Sequence, residues 1–213
     1  MENVIGSVIV TALFHQLIIR TLIPSYSLKI RLHIYSLISS LIYTVFYYTE
    51  FNAGKYGVTF TLLQQIMLGS HIGYFLSDGI FCIQMGAWQY FLHHLFGSWW
   101  LYLVYQRNDV WEYMFGMLTA EASAVLVNLR YLLIKGYGSI PKWFQALVII
   151  VYANLRVVLT VLYLIWKHLL VTSGLQLTSN EWQSLVLELI YIAASSLWLF
   201  ELLKRYKIKS KDI

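Results

Sequence analysis

Long apolar runs, broken by short polar or glycine- and proline-bearing stretches, set the pattern of this chain. Seven runs can be drawn, over residues 4–23, 32–49, 62–83, 88–105, 110–134, 143–170 and 182–203. Each is near the ~20 residues that one bilayer crossing requires. The first run carries His15, Gln16 and Arg20, which weakens it as a full span. The connections are short and hold the helix-breaking residues: Pro24-Ser25-Tyr26-Ser27, Asn52-Ala53-Gly54-Lys55-Tyr56-Gly57 and Gly136-Tyr137-Gly138-Ser139-Ile140-Pro141. No loop is long enough for a soluble domain. In lipid each backbone polar group must be satisfied within its own segment or in a closed barrel. Apolar runs of this length therefore predict an all-α membrane protein, a bundle of about seven transmembrane helices.

Composition strengthens this expectation. Charged residues are 12% and hydrophobic residues 59% of the chain. A water-soluble domain carries about 25% charged residues to dress its surface. The mean hydropathy of +0.64 agrees. The one cysteine, Cys82, lies in an apolar run, so neither a disulfide within the chain nor a thiol cluster for metal is expected. The start Met1-Glu2-Asn3 has no positive region and no small-residue cleavage site, and it reads as a retained first helix.

The net charge of +5 concentrates near segment ends. Its densest run is Lys204-Arg205-Tyr206-Lys207-Ile208-Lys209-Ser210-Lys211, directly after an apolar segment. Basic residues placed there anchor to anionic headgroups, so no nucleic-acid partner is expected. Lys29 and Arg31 follow segment one, with Arg20 at its edge, and Lys135 and Lys142 follow segment five. The alternate connections hold only Lys55, Arg107 and Lys167. With seven spans the basic regions fall on one side, which predicts a cytoplasmic C-terminus. Trp88, Trp111, Trp143 and Trp182 stand at segment starts, as interfacial anchors do.

Polar groups at membrane depth are costly and mark candidate chemistry. In segment three His71, Tyr74 and Asp78 share one helical face. A lone buried carboxylate there must go neutral or find a partner. Segment four carries His93-His94. Adjacent helical residues diverge by about 100°, so one imidazole can face inward while the other meets a neighbour. Two adjacent histidines do not easily ligate one metal, and no metal or cofactor is expected. Acid–base or nucleophilic chemistry suits imidazole better. In segment five, Glu121 with Asn128 and Ser123 with Arg130 form two polar stripes of sevenfold spacing. Segment six adds Asn154 and Arg156, and a structural ion pair of Glu121 with Arg156 or Arg130 is expected. Glu188 in segment seven is left without a role.

These motifs resemble the TLC-domain family. Gly73-Tyr74-Phe75-Leu76-Ser77-Asp78 is similar to the family's Gly-Tyr-Phe-x-x-Asp segment, and Trp88-Gln89-Tyr90-Phe91-Leu92-His93-His94 to its His-His helix. Glu121-Ala122-Ser123 with Asn128-Leu129-Arg130-Tyr131 resembles Glu-x-Ser…Asn-x-Arg-Trp, and Arg156 sits where a family arginine falls. Arg31-Leu32-His33 with Ser36 resembles the second-helix opening. The match is to small TLC-domain-containing proteins more than to ceramide synthases, whose paired aspartates after the histidines are replaced here by Glu121-Ala122-Ser123.

The resemblance implies a first helix and loop over 1–30, a TLC domain of six helices over 31–203 and a basic tail over 204–213. It implies a protein that handles acyl lipids by binding, remodelling or regulation, or by ceramide-like acyl transfer with acyl-CoA as substrate. His93 and His94 would be base or nucleophile, with Asp78 orienting an imidazole as in a triad. Membrane lipids are the implied partners, with a homodimer or a larger membrane complex as further options. The competing reading is a non-enzymatic accessory subunit of such a complex. Lys209 and Lys211 resemble a dilysine retrieval signal, which points to the endoplasmic reticulum; the mitochondrial inner membrane is the alternative.

Overall fold

A computed structural model describes residues 2–21, 26–55, 57, 59–172 and 177–209 of the chain. Among them all regular structure is helical: α1 (Glu2–Thr21), α2 (Leu28–Asn52), α3 (Leu62–Gln84), α4 (Trp88–Gln106), α5 (Val110–Tyr137), α6 (Lys142–Tyr152), α7 (Leu159–Thr172) and α8 (Ser179–Lys209). A π-helical turn, Ala153–Val158, joins α6 to α7 in one continuous rod. Lys211 and the rest of the extreme tail lie outside the described residues.

The rods follow the apolar runs because each run satisfies its own backbone only as a helix. Six are long and apolar enough to cross a membrane: α1, α2, α3, α5, the α6–α7 rod and α8. At 19 residues α4 has the length as well, about 28 Å at 1.5 Å per residue. Its histidines, Gln89 and Ser98 dilute its apolar character. Two boundaries move outward from the sequence reading. Lys29 and Arg31, expected in a loop, stand in the first turns of α2. There Arg31 donates from Nη1 to the carbonyl of Ile19 at 2.6 Å, satisfying a backbone oxygen near the end of α1. The basic residues from Lys204 to Lys209 continue α8.

The chain forms two units. The first comprises Met1–Leu32 and Glu50–Met114. Its core is the contact of α1 with α3, set by glycine. A Cβ on Gly69 would lie 2.5 Å from the carbonyl oxygen of Val4, and one on Gly73 would overlap the carbonyl of Val8. Only hydrogen at both positions lets the two backbones touch. In lipid such close packing replaces the hydrophobic drive. α3 and α4 meet similarly: a Cβ on Gly97 would stand 2.8 Å from the ring of Phe75, and one on Gly79 3.4 Å from Phe91. A capping box starts α3. Gln64 N–H donates to Thr61 Oγ1 at 3.2 Å, and Thr61 N–H donates to Gln64 Oε1 at 3.0 Å. At the head of α5, Asp109 Oδ1 accepts from the Glu112 amide at 2.9 Å, and Arg107 pairs with buried Glu112 at 2.6 Å.

The second unit comprises His33–Thr49 and Phe115–Ile213. It packs α8 against the α6–α7 rod. Glu188, without a role in the sequence, accepts from Lys167 Nζ at 3.1 Å and from Ser184 Oγ at 3.3 Å. The pairing lets a carboxylate sit in α8 without facing lipid as a bare charge.

Candidate functional site

In the first unit α3 and α4 bring a carboxylate onto an imidazole. Asp78 Oδ2 lies 2.7 Å from His94 Nε2, with the two side chains only 14% and 11% exposed. The glycines at 79 and 97 allow this approach, since each removes a side chain where the other helix passes. With the carboxylate accepting from Nε2–H, the lone pair of the neutral ring belongs to Nδ1. That nitrogen is buried and has no hydrogen-bond partner. A buried polar atom left open at a carboxylate-bound imidazole asks for a ligand. Such an orientation holds one ring nitrogen by a carboxylate and presents the other as base, the division of labour in a triad.

Aromatic rings and further polar groups surround the pair. His93, half-buried, turns to the next face, its ring 5.4 Å from His94 and 6.4 Å from Phe75. The two histidines thus divide as adjacency on a helix predicts. The Tyr74 ring lies 6.3 Å from that of His94 and 5.2 Å from that of His15. His71 is fully buried and packs edge-on to Phe75 at 4.8 Å. Cys82 Sγ stands 4.0 Å from Asp78 Oδ2. Below Asp78, Ser77 receives α1: His15 Nδ1 lies 2.8 Å from Ser77 Oγ, and Gln16 Nε2 donates to the same oxygen at 2.9 Å.

The sequence sets Asp78 well inside an apolar run. In the structure it lies six residues before Gln84, where α3 ends, and His94 lies six after Trp88, where α4 begins. At 1.5 Å per residue the pair sits about 9 Å beneath the tight α3–α4 turn. Gly86, with φ of 68°, makes that turn in the left-handed region that glycine enters freely.

The remaining predicted residues belong to the second unit, where they form separate groups. Arg156, on the π turn, donates from Nε to Ser123 Oγ at 2.5 Å and from Nη2 to the Ala120 carbonyl at 2.9 Å. Its guanidinium lies over the rings of Tyr152 and Tyr191, at 5.4 and 5.7 Å from their centroids. Glu121, expected to pair with Arg156 or Arg130, lies within electrostatic reach of Arg156. Asn128 instead serves α2. Its Nδ2 donates to the Ala124 carbonyl at 3.0 Å and to Ser36 Oγ at 2.9 Å, and its Oδ1 lies 2.7 Å from His33 Nδ1. A carbonyl only accepts, so the amide is fixed and His33 Nδ1 must donate. The His33 ring stacks on Tyr131 at 3.7 Å. Arg130 is half-buried, with the like charge of Arg205 acting on it.

Three features escape the sequence reading. Gly69 and Gly73 carry a Gly-x-x-x-Gly signal that marks a helix contact. Cys82 stands one turn from Asp78, a spacing legible at once. His15 and Gln16 reach Ser77 across 61 or more residues, and no local signal announces that contact.

Comparisons with curated proteins and with solved structures return no match. The TLC-domain (TRAM/LAG1/CLN8) family model matches residues 29–206, from the first turn of α2 nearly to the end of α8. α1 lies ahead of the matched region and still contributes His15 and Gln16 to the packing around Ser77. With its membrane-length helices and this match across most of its length, the chain belongs to the TLC-domain family as an integral membrane protein.

Proposed function

We propose that this protein handles acyl lipids, and that the Asp78–His94 pair is the centre of an acyl transfer. The observation that carries the reading is the buried pair itself, 2.7 Å apart, with His94 Nδ1 left open. In the proposed reaction His94 Nδ1 takes the proton of an acceptor amine or hydroxyl as its lone pair attacks the thioester carbonyl of acyl-CoA. The tetrahedral adduct then expels the CoA thiolate, which takes that proton from the imidazolium. Asp78 holds the ring and stabilises its charged form. His93 stands beside it as the second imidazole, its ring 5.4 Å from that of His94. General acid–base assistance of this kind is worth about 10²–10⁴ in rate.

The site's shallow position supports the choice of donor. Under the loop-charge orientation the α3–α4 turn faces the cytoplasm, from which a water-soluble acyl-CoA arrives. The same orientation puts the C-terminus there, where the Lys209/Lys211 pattern supports retrieval to the endoplasmic reticulum.

The test is transfer of labelled acyl groups from acyl-CoA to mixed amine and lysolipid acceptors by protein purified in mild detergent. Transfer that vanishes in the His93→Ala, His94→Ala double variant is expected. Equal transfer by that variant removes the enzyme reading. Acyl-lipid binding with no transfer by the unaltered protein leaves the accessory-subunit reading in its place.

A further inference from the structure

The acyl-transfer reading leaves Cys82 unused. It stands four residues after Asp78, so thiol and carboxylate lie on one face of α3, a turn apart. α4 adds His94. One ligand atom from each of Asp78, Cys82 and His94 can be chosen so that all three lie within 4.8 Å of one another. Two of the three separations are 2.7 Å from nitrogen to carboxylate and 4.0 Å from sulfur to carboxylate.

A tetrahedral zinc ion, with bonds of about 2.0–2.3 Å, holds its ligand atoms roughly 3.3–3.8 Å apart. The observed separations bracket that range, so movements on the order of 1 Å would seat the ion. The donors are one oxygen, one nitrogen and one sulfur, a mixed set that suits zinc rather than magnesium or calcium. Charge balance also fits. A divalent ion with one carboxylate and one thiolate is neutral in sum, the state a low-dielectric setting favours. Three protein ligands leave a fourth position for water.

We propose that Asp78, Cys82 and His94 form a zinc site, and that its occupancy switches off the base. Zinc takes the Nε2 lone pair of a neutral ring, so the ring's one proton must reside on Nδ1. The atom that accepts the acceptor's proton then has no lone pair to offer. The thiol gives its proton to solvent, so one proton leaves per ion bound. Only the inhibitory half rests on the acyl-transfer reading; the site itself does not.

The experiment uses the full chain, purified metal-free in mild detergent and titrated with Co²⁺, then Zn²⁺. One Co²⁺ should bind per chain with a thiolate-to-cobalt charge-transfer band, and Zn²⁺ should bleach that band. Cys82→Ser should abolish the band and weaken zinc retention by about tenfold or more. His93→Ala should keep both, since His93 is not a ligand. No band in the unaltered protein, or equal zinc retention by Cys82→Ser, overturns the site. In the transfer assay zinc should inhibit the unaltered protein and spare Cys82→Ser. Full activity with zinc bound overturns the switch. Cobalt binding in a protein with no transferase activity removes the acyl-transfer reading and leaves the site standing.

Discussion

Asp78–His94 in the first unit and Arg156 in the second are both buried polar centres, yet they are built to opposite ends. Arg156 is saturated: a hydroxyl, a backbone carbonyl, two aromatic faces and a nearby carboxylate surround it. The His94 ring is held on one nitrogen only, and its other nitrogen is buried and open. A saturated centre fixes helices. An incomplete one has capacity left for a ligand. Burial of charge does not by itself mark a working site; unspent hydrogen-bonding capacity does.

The contrast predicts divergent responses to substitution. Arg156→Met should have the largest effect on stability. It removes the donor to Ser123 and Ala120 and the cation beside Glu121, and breaking a buried charge arrangement costs about 3–5 kcal/mol. His94→Gln should cost far less stability while removing transfer. Thermal unfolding of both variants in one detergent checks this, and similar losses for the two would erase the distinction between the centres.

Gly73→Ala should come next. The added methyl would meet the backbone of Val8, which cannot rotate aside, and overpacking of this kind costs about 1–3 kcal/mol. Gly136→Ala, where a Cβ meets nothing within 4 Å, is the control. If α1 is an integral wall of the first unit, Gly73→Ala should also reduce transfer; equal stability of the two variants would refute the close approach.

The smallest effect concerns Asp109, in the turn before α5. Burial, then the charge of Glu112, hold its carboxyl above the ordinary carboxylate range in spite of Arg107. The folded protein therefore binds this proton more tightly than the unfolded chain does. The group's contribution is fully present below the unfolded value and is lost as pH rises through the raised folded one. Asp109→Asn keeps a cap for α5 and carries no charge. Its melting temperature relative to the unaltered protein should rise from acid to neutral pH. A flat difference across that range would refute the assignment.

Much of this was legible in the sequence. The Trp88, Val110 and Leu62 helix starts fall where the apolar runs begin. The His93/His94 division follows from the helical angle alone. The cost of a bare charge in lipid asks for a cation near Glu121, either Arg130 or Arg156, and the structure puts Arg156 within its electrostatic reach. α2 starts at Leu28, ahead of the apolar run, although Lys29 and Arg31 look like loop residues. They sit instead on a helix, where Arg31 finds carbonyls at the end of α1. By spacing, Asn128 shares one polar stripe of α5 with Glu121, and Ser123 shares a second with Arg130. In the structure Asn128 serves His33 and Ser36, and Ser123 serves Arg156.

By itself the sequence determined that the chain is a helical membrane protein, which residues break its helices, and which polar side chains lipid cannot leave unexplained. Those are local consequences of apolar length and of backbone hydrogen bonding. Only tertiary structure decided that Asp78 pairs with His94 rather than staying neutral and alone, that Cys82 completes a three-donor cluster, and that Ser77 receives His15 and Gln16 from α1. Each depends on how closely two helices approach. That distance is set by glycines at 69, 73, 79 and 97 acting across the chain, not by any residue's immediate neighbours.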